Sequence, residues 1–200
     1  MARDPAGAGE AAPAGGRLEL RRADVTSLVA DAIVNAANQS LAGGGGVDGA
    51  IHRAAGPELM RELSQRYERC PTGSAVITGA GRLRARHVIH AVGPRWRDGE
   101  HGEPELLRSA YRSAFRLAAE AGCATVATPS ISTGIYGFPI DRAAPIALQE
   151  ARLALRHPGT PLTEICFALF SDADFKVFRS ALRTGEGAES VPYPPQKSSS

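Results

Sequence analysis

The sequence predicts an α/β sandwich in which helices cover both faces of a largely parallel sheet. Short apolar runs rich in β-branched residues alternate along the chain with longer amphipathic segments of helical period. The last run, residues 165–170, is almost continuously apolar, as expected for a strand covered on both faces. With 200 residues and 43% hydrophobic content, the chain is the size of one domain that buries a core. We predict a domain at residues 17–184.

The two ends of the chain are excluded from this domain. Residues 1–16 and 185–200 contain small residues, proline and polar residues, with almost nothing that could pack. The entropy lost on ordering such segments has no compensating burial. We therefore predict that both tails are disordered.

In the first half of the domain, residues 17–22 alternate polar residues with leucines and predict a half-buried strand. Residues 32–37 predict a buried strand. A helix follows from Val47, because apolar residues recur there on one helical face. Gly56 and Pro57 end that helix and begin a second one.

The second half continues the alternation of strands and helices. Its predicted strands, the first two of which form a pair, are residues 74–78, 87–92, 125–129 and 165–170. Its predicted helices are residues 103–121, stopped by Gly122, residues 140–156, and a final helix that carries Phe178.

Charge and cysteine content restrict the functional class. The formal net charge is only +2, and the charges are mixed along the chain, so no basic tract predicts a nucleic-acid partner. The three cysteines include no CxxC pair, which is typical of reduced, buried thiols in a cytoplasmic protein. No apolar run reaches the roughly 18 residues that span a membrane, and no signal peptide is recognisable. We expect a cytoplasmic monomer with no membrane contact.

The segment from residue 33 to residue 56 is the strongest candidate for a binding site. A predicted strand carrying Asn35 leads to Asn38 and four consecutive glycines, Gly43 to Gly46, and then to a helix that begins with Val47 and Asp48. Strand, glycine loop and helix in this order present backbone N–H groups and a helix amino end to a phosphate. A second glycine-bearing turn, residues 132–137, is predicted at the same edge of the sheet and would clamp a diphosphate from the other side.

Each polar residue of this segment also has an ordinary structural explanation. Asp48 near a helix amino end gains about 0.3 to 1 kcal/mol from the helix dipole. Asn35 and Asn38 could bond backbone groups at the end of the strand. Three such residues around one glycine loop are better explained by a polar pocket that binds ribose hydroxyls and positions a water. His87 and His90 lie three apart in a predicted strand and face opposite sides, so no shared metal site is expected.

On these residues the chain resembles the macrodomain family, and within it the MacroD-type ADP-ribosyl hydrolases. The resemblance covers about residues 18–182 through motifs that follow one another in the family's order: ADVT, DAIVNAAN, GGGGVDGAIHRAAG, CPTGSAVITGAGRL, HVIHAVGP and PSISTGIYGFP. It implies a three-layer α/β/α sandwich and amends the largely parallel sheet to a mixed one. Two departures are Ala23, where the family usually has glycine, and a charged segment, residues 95–105, with no counterpart in the pattern.

The resemblance also implies roles for individual residues. Asp24 and the Val25 amide would bind adenine, with Phe170 against the ring, while Asn35 belongs to the ligand-binding set. Asn38 and Asp48 would hold the distal ribose as catalytic residues, with Asp48 positioning or activating the attacking water. The diphosphate would lie on the backbone amides of Gly44, Gly45, Gly46, Val47, Ser132, Thr133, Gly134, Ile135 and Tyr136.

The implied activity is removal of mono-ADP-ribose from acidic side chains and deacetylation of O-acetyl-ADP-ribose. The implied partners are ADP-ribose, ADP-ribosylated proteins and O-acetyl-ADP-ribose, with nucleic acid expected only as an ADP-ribosylated substrate. No metal and no cofactor are expected, since residues 38–52 lack the cysteines of the zinc-dependent members. The alternatives are a reader that binds ADP-ribose without turnover and, resting on arginine content alone, an RNA-binding protein.

Overall fold

Six strands form one mixed sheet in the computed structural model, which describes residues 16–185. The order across the sheet is β1-β6-β5-β2-β4-β3. The strands are β1 Arg17–Arg22, β2 Ala32–Ala36, β3 Ala75–Gly79, β4 His87–Ala91, β5 Thr125–Thr128 and β6 Glu164–Leu169. The predicted disordered tails, apart from Gly16 and Gly185, lie outside the described residues.

Five helices cover the two faces of the sheet. They are α1 Gly46–Ala55, α2 Pro57–Arg66, α3 Glu103–Glu120, α4 Ile140–Arg156 and α5 Asp172–Gly185. Helices α1 and α2 pack on one face with Ile33, whereas α3, α4 and α5 pack on the other face with Val34. Successive side chains of β2 therefore pack into opposite helical layers, as expected because side chains alternate between the two faces of a strand. The predicted three-layer sandwich is confirmed.

The sheet is parallel except at one edge. Strands β1, β6, β5, β2 and β4 pair in parallel, whereas β3 pairs with β4 in the antiparallel sense. Only residues 80–86 join β3 to β4, which is too short for the crossover that parallel neighbours need. The mixed sheet is thus confirmed, and the initial expectation of a largely parallel one holds for every strand except β3.

The register of the parallel strands gathers distant segments at one edge. Arg22 lies opposite Leu169 at the ends of β1 and β6, so Asp24 and Phe170 emerge together. Asn35 lies opposite His90 in β2 and β4. The loops that follow the carboxyl ends of these strands therefore surround one site. Within residues 16–185, no helix is long and apolar enough to span a membrane.

The charged segment after β4 is an ordered loop built around one buried carboxylate. The side chain of Glu103, 2% exposed, accepts hydrogen bonds from the amides of Arg97 at 3.1 Å and His101 at 2.7 Å. Burial raises the pKa of Glu103, but hydrogen bonding to backbone amides, first its own and then those of His101, Arg97 and Gly99, outweighs burial and holds the pKa at about 2. Trp96 packs against Phe138, with ring centroids 4.6 Å apart.

Because Trp96 is the only tryptophan of the chain, its fluorescence reports on this loop. Glu103→Gln removes a charged acceptor of the loop amides, so we expect Trp96 emission to shift to longer wavelength as the ring becomes exposed. Glu105→Gln alters an exposed carboxylate of the same helix and serves as the control. Identical emission spectra for the two variants would contradict this role for Glu103.

Candidate active site

The loops at the carboxyl edge of the sheet enclose one continuous cleft. One end is a cavity of about 270 Å³ lined by Asn38, Asp48 and Tyr136, here named the Asp48 cavity. The other end is a cavity of about 460 Å³ lined by Asp24, Val25 and Phe170, named the Phe170 cavity. The two cavities share the wall residues Val47, Ser130 and Gly134. A separate cavity of about 420 Å³, at the carboxyl end of α4, contains none of the predicted site residues.

Asp48 is a buried carboxylate in the first turn of α1, 6% exposed. Its Oδ1 accepts a hydrogen bond from Asn35 Nδ2 at 2.6 Å and lies 3.3 Å from His52 Nε2. Its Oδ2 faces Gly44, where an added Cβ would lie only 3.2 Å away. One carboxylate oxygen is thus held by the protein while the other lies towards the glycine loop and the cleft.

Asn38 shapes the glycine loop as well as lining the cavity. Its Nδ2 donates to the Gly43 carbonyl at 2.7 Å, and its Oδ1 accepts from Ser40 Oγ at 2.8 Å. Both ends of the amide are therefore engaged within the loop that the side chain leaves. The same Nδ2 lies near the position that a Cβ on Gly44 would occupy, at 3.7 Å. Asn38 and Asp48 are brought together, as expected from the sequence.

Asn35 lies beneath the cleft and adds no surface to it. The side chain is 0% exposed and connects Asp48 to His90, whose Nδ1 lies 3.2 Å from Asn35 Nδ2. Its place in the ligand-binding set was expected from the resemblance, whereas the structure places it behind Asp48. Strand periodicity explains this position, because Asn35 points to the same face as the buried Ile33.

The two glycine-bearing loops face each other across the cleft. An added Cβ on Gly45 would lie 3.3 Å from Ile135 Cδ1. Gly46 has a φ of +58°, which favours glycine, and Gly45 caps α1 without a side-chain hydrogen bond. The first amides of α1 are therefore left for an outside acceptor. In the opposite loop, amides 132–136 donate to no acceptor within the described part of the chain, while Phe138 N–H closes the turn onto the Ser132 carbonyl at 3.0 Å.

The loop after β4 supports the Ser132 turn from behind. An added Cβ on Gly93 would collide with the Ser132 hydroxyl and lie 2.5 Å from Ile131 Cγ2. Gly93→Ala is therefore expected to lower the free energy of unfolding by about 1 to 3 kcal/mol through overpacking. Chemical denaturation measures this loss. Gly134→Ala, where an added Cβ meets nothing within 4 Å, is the control, and equal stability of the two variants would contradict the close contact.

The Phe170 cavity joins an exposed aromatic ring to an exposed carboxylate. Phe170 is 78% exposed, although the residues before it in β6 are buried. Asp24 caps a short 3-10 helix, Val25–Ser27, by accepting from the Thr26 amide at 2.9 Å through Oδ1. Its Oδ2 takes part in no hydrogen bond within residues 16–185. Arg53 and Asp174 also line this cavity.

Several lining residues were not predicted from the sequence. Arg95 lines the Asp48 cavity, and its guanidinium lies 4.5 Å from the centroid of the Tyr136 ring. Ser130 and Gly93 line the cleft at the ends of β5 and β4. Both residues directly follow predicted strands, and this position could have identified them as lining residues, since ligands of such sheets bind at the ends of strands. His52, one turn after Asp48 on α1, was also not predicted as a site residue, and the structure places it against Asp48.

His90 is a buried neutral imidazole. Burial lowers its pKa to about 4, with a further lowering from nearby His52 that Asp48 and Glu62 oppose. The unfolded chain takes up a proton near pH 6.5, whereas the folded protein does so only near pH 4. Stability should therefore be intact above about pH 6.5 and fall on acidification towards pH 4, by at most about 3 kcal/mol from this group.

Denaturant unfolding at several pH values measures that loss of stability. A His90→Asn variant should show a shallower decline between pH 6.5 and pH 4.5, since it lacks the titrating group. A decline as steep as that of the unmodified protein would contradict the assignment to His90.

Within residues 16–185, the one group of three side chains with metal-ligand geometry is Asp98, His101 and Glu103. None of the three lines either cavity of the cleft. The Glu103 oxygens already accept backbone hydrogen bonds from the loop. The residues at the Asp48 cavity include one carboxylate and no cysteine.

Known proteins resemble both the sequence and the fold. Residues 34–147 match the family model of the Macro domain. A macro domain-containing protein of Caldanaerobacter subterraneus is 52% identical over 168 residues, covering 82% of this chain and 95% of that protein. A protein of Escherichia fergusonii named O-acetyl-ADP-ribose deacetylase is 49% identical over 177 residues, covering 86% of this chain and 98% of that protein.

Solved structures place ligands in similar folds. The Oceanobacillus iheyensis macrodomain with ADP superposes with a TM-score of 0.79 at 41% identity, covering 86% of this chain and 93% of that one. The Trypanosoma brucei macrodomain in complex with ADP-ribose superposes with a TM-score of 0.76 at 43% identity, covering 82% of this chain and 68% of that one.

Proposed function

Because the chain belongs to the macrodomain family, which binds ADP-ribose, we propose that it hydrolyses ADP-ribosyl esters. The substrates are mono-ADP-ribose on acidic side chains of proteins and O-acetyl-ADP-ribose. The observation that carries this proposal is the buried Asp48 carboxylate at one end of the cleft, held through Oδ1 with Oδ2 on the side of the glycine loop. Relatives named O-acetyl-ADP-ribose deacetylase support the same chemistry.

The proposed ligand lies along the whole cleft. Adenine occupies the Phe170 cavity, where the exposed ring offers a stacking surface and Asp24 Oδ2 an acceptor for the amino group. The diphosphate lies between the amides of residues 44–47 and those of residues 132–136, which agrees with their lack of acceptors within the described chain. The distal ribose then reaches Asn38 and Asp48.

The proposed reaction is addition of water to the ester. For O-acetyl-ADP-ribose, the water oxygen bonds to the acetyl carbonyl carbon, the bond from that carbon to the ribose oxygen breaks, and acetate and ADP-ribose are released. The ribose oxygen takes up a proton as it leaves. Asp48 Oδ2 positions the water and accepts its proton, and the substrate diphosphate shares the role of base. We propose that this proceeds without a metal, since one carboxylate and polar amides form the donor set at this cavity.

A reader that binds ADP-ribose without turnover is the second candidate. Both ends of the Asn38 amide are engaged within the glycine loop, which favours a structural role for that side chain. Several relatives also carry names that state only the domain. The position of Asp48 argues for the hydrolase.

The experiment is a linkage panel assayed with and without EDTA. Acidic-residue, serine, arginine and DNA-end conjugates of ADP-ribose are tested beside O-acetyl-ADP-ribose. We expect release of ADP-ribose from the acidic-residue and O-acetyl esters, unaffected by EDTA. Calorimetric binding of ADP-ribose with no product from any ester would favour the reader.

Size-exclusion chromatography tests the proposed monomer, and the buried, unpaired cysteines agree with the proposed cytoplasmic location.

A further inference from the structure

A buried chain of polar side chains runs beneath the Asp48 cavity from an edge strand to the carboxylate. Thr78 on β3 is 1% exposed, and His90 on β4 and Asn35 on β2 are 0% exposed. Thr78 Oγ1 lies 3.0 Å from His90 Nε2, and His90 Nδ1 lies 3.2 Å from Asn35 Nδ2. Asn35 Nδ2 then lies 2.6 Å from Asp48 Oδ1.

The hydrogen-bond directions in this chain follow from the carboxylate. Asp48 Oδ1 can only accept, so the Asn35 group beside it is the NH₂ and not the carbonyl. A flipped amide would place two oxygen atoms 2.6 Å apart. The second hydrogen of that NH₂ points to His90 Nδ1, which must accept it. His90 therefore carries its proton on Nε2 and donates to Thr78 Oγ1.

This arrangement is not what stability alone would favour. The same sheet face carries the apolar residues Ile33 and Val88, which pack with α1 and α2. Asn35 Oδ1 is buried and finds no hydrogen-bond donor within residues 16–185. A buried acceptor without a donor is destabilising, and an apolar cluster of the same shape would avoid it. The chain of polar groups must therefore be explained by what it holds in place.

We propose that His90 and Thr78 are positioning residues that orient the Asp48 carboxylate through the Asn35 amide. Thr78 accepts from His90 Nε2–H and anchors the ring, His90 Nδ1 accepts from the Asn35 NH₂, and that NH₂ holds Oδ1 so that Oδ2 remains on the side of the cleft. This inference rests on the proposed hydrolase function, because Oδ2 is the group assigned to the water. The charged and titratable groups that face His90 are His52 and Asp48 from α1 and Glu62 from α2.

Thr78→Val tests this relay, the chain of contacts from Thr78 through His90 and Asn35 to Asp48, with Thr78→Ser as the matched control. Valine keeps the shape and strand preference of threonine but leaves His90 Nε2–H without an acceptor, whereas serine keeps the hydroxyl. We expect Thr78→Val to lower kcat on O-acetyl-ADP-ribose roughly 2- to 10-fold, the factor of one hydrogen bond between neutral groups. The ADP-ribose affinity should be unchanged, and Thr78→Ser should retain most of the activity.

Nitrogen-15 NMR of the His90 ring supplies a readout that does not need turnover. The unmodified protein should carry the proton on Nε2, and the Nε2 resonance should shift in Thr78→Val, which removes the acceptor of that proton, but far less in Thr78→Ser. If the unmodified protein is active and Thr78→Val has the same kcat as Thr78→Ser, the relay is overturned. The hydrolase proposal then remains intact. An inactive parent that retains the Nε2–H tautomer would overturn the hydrolase proposal and support the positioning of Asp48. A proton on Nδ1 in the parent would overturn the relay.

Discussion

Replacing Asp48 by asparagine is expected to lower kcat for ester hydrolysis by a factor of about 100 or more, the contribution of a positioned general base. The amide can still accept from Asn35 through its oxygen, so the local geometry is kept while the charged acceptor for the water proton is lost. The affinity for ADP-ribose should change far less, because the contacts proposed for the diphosphate and adenine lie elsewhere in the cleft. Initial rates with O-acetyl-ADP-ribose and calorimetry with ADP-ribose separate the two effects.

The matched control for this substitution is Asp141→Asn. Asp141 is also in the first turn of a helix, α4, but it is exposed and lies outside the cleft. A general loss of helix-dipole stabilisation would affect both variants alike. Equal activity of Asp48→Asn and Asp141→Asn would contradict the role assigned to Asp48, whereas Asp48→Ala should match Asp48→Asn in kcat.

The second large effect is expected at Phe170. Removing the ring by Phe170→Ala should weaken ADP-ribose binding by a factor of about 10 to 100, since stacking of a base on an aromatic side chain contributes about 1 to 3 kcal/mol. Because Phe170 is 78% exposed, its removal opens no cavity in the core, and thermal stability should be unchanged. Calorimetric titration with ADP-ribose measures the change in Kd.

Phe170→Tyr keeps the aromatic face and is the control for this prediction. It should bind ADP-ribose as tightly as the unmodified protein. Loss of affinity in both variants would point to a contact other than stacking. Unchanged affinity in Phe170→Ala would contradict the placement of adenine in this cavity.

Much of the fold could be predicted because local pattern and tertiary structure agree. The strand at residues 17–22 and the helix at residues 140–156 have the same bounds in the structure as in the sequence-based prediction. The antiparallel edge also follows from the chain, since the connection between β3 and β4 is too short for a crossover. The 3-10 helix at Val25–Ser27 was not predicted, because a single turn has no periodicity to recognise.

The parts of the candidate site that depend on loop and helix-start geometry could be predicted from the sequence. The contacts that depend on packing between distant segments could not. Glycine loops and a carboxylate at a helix start can be found from spacing alone, and the structure places Asp48 and Asn38 in the lining of the same cavity. Spacing cannot tell whether Asn35 faces ligand or core, because that depends on which helices cover β2. It also could not show that His90 lies behind Asp48 or that Arg95 stacks on Tyr136, since both contacts join segments that are distant in sequence.

The most direct test of the hydrolase proposal is a single-turnover assay with the unmodified protein in excess over O-acetyl-ADP-ribose, in the presence of EDTA. A protein concentration well above the Kd ensures that all substrate is bound, so weak affinity cannot hide the chemical step. We predict complete conversion to acetate and ADP-ribose, and a slower conversion in Asp48→Asn. Full binding of the substrate with no acetate formed above the uncatalysed rate would contradict it and would leave a protein that recognises ADP-ribose without hydrolysing its esters.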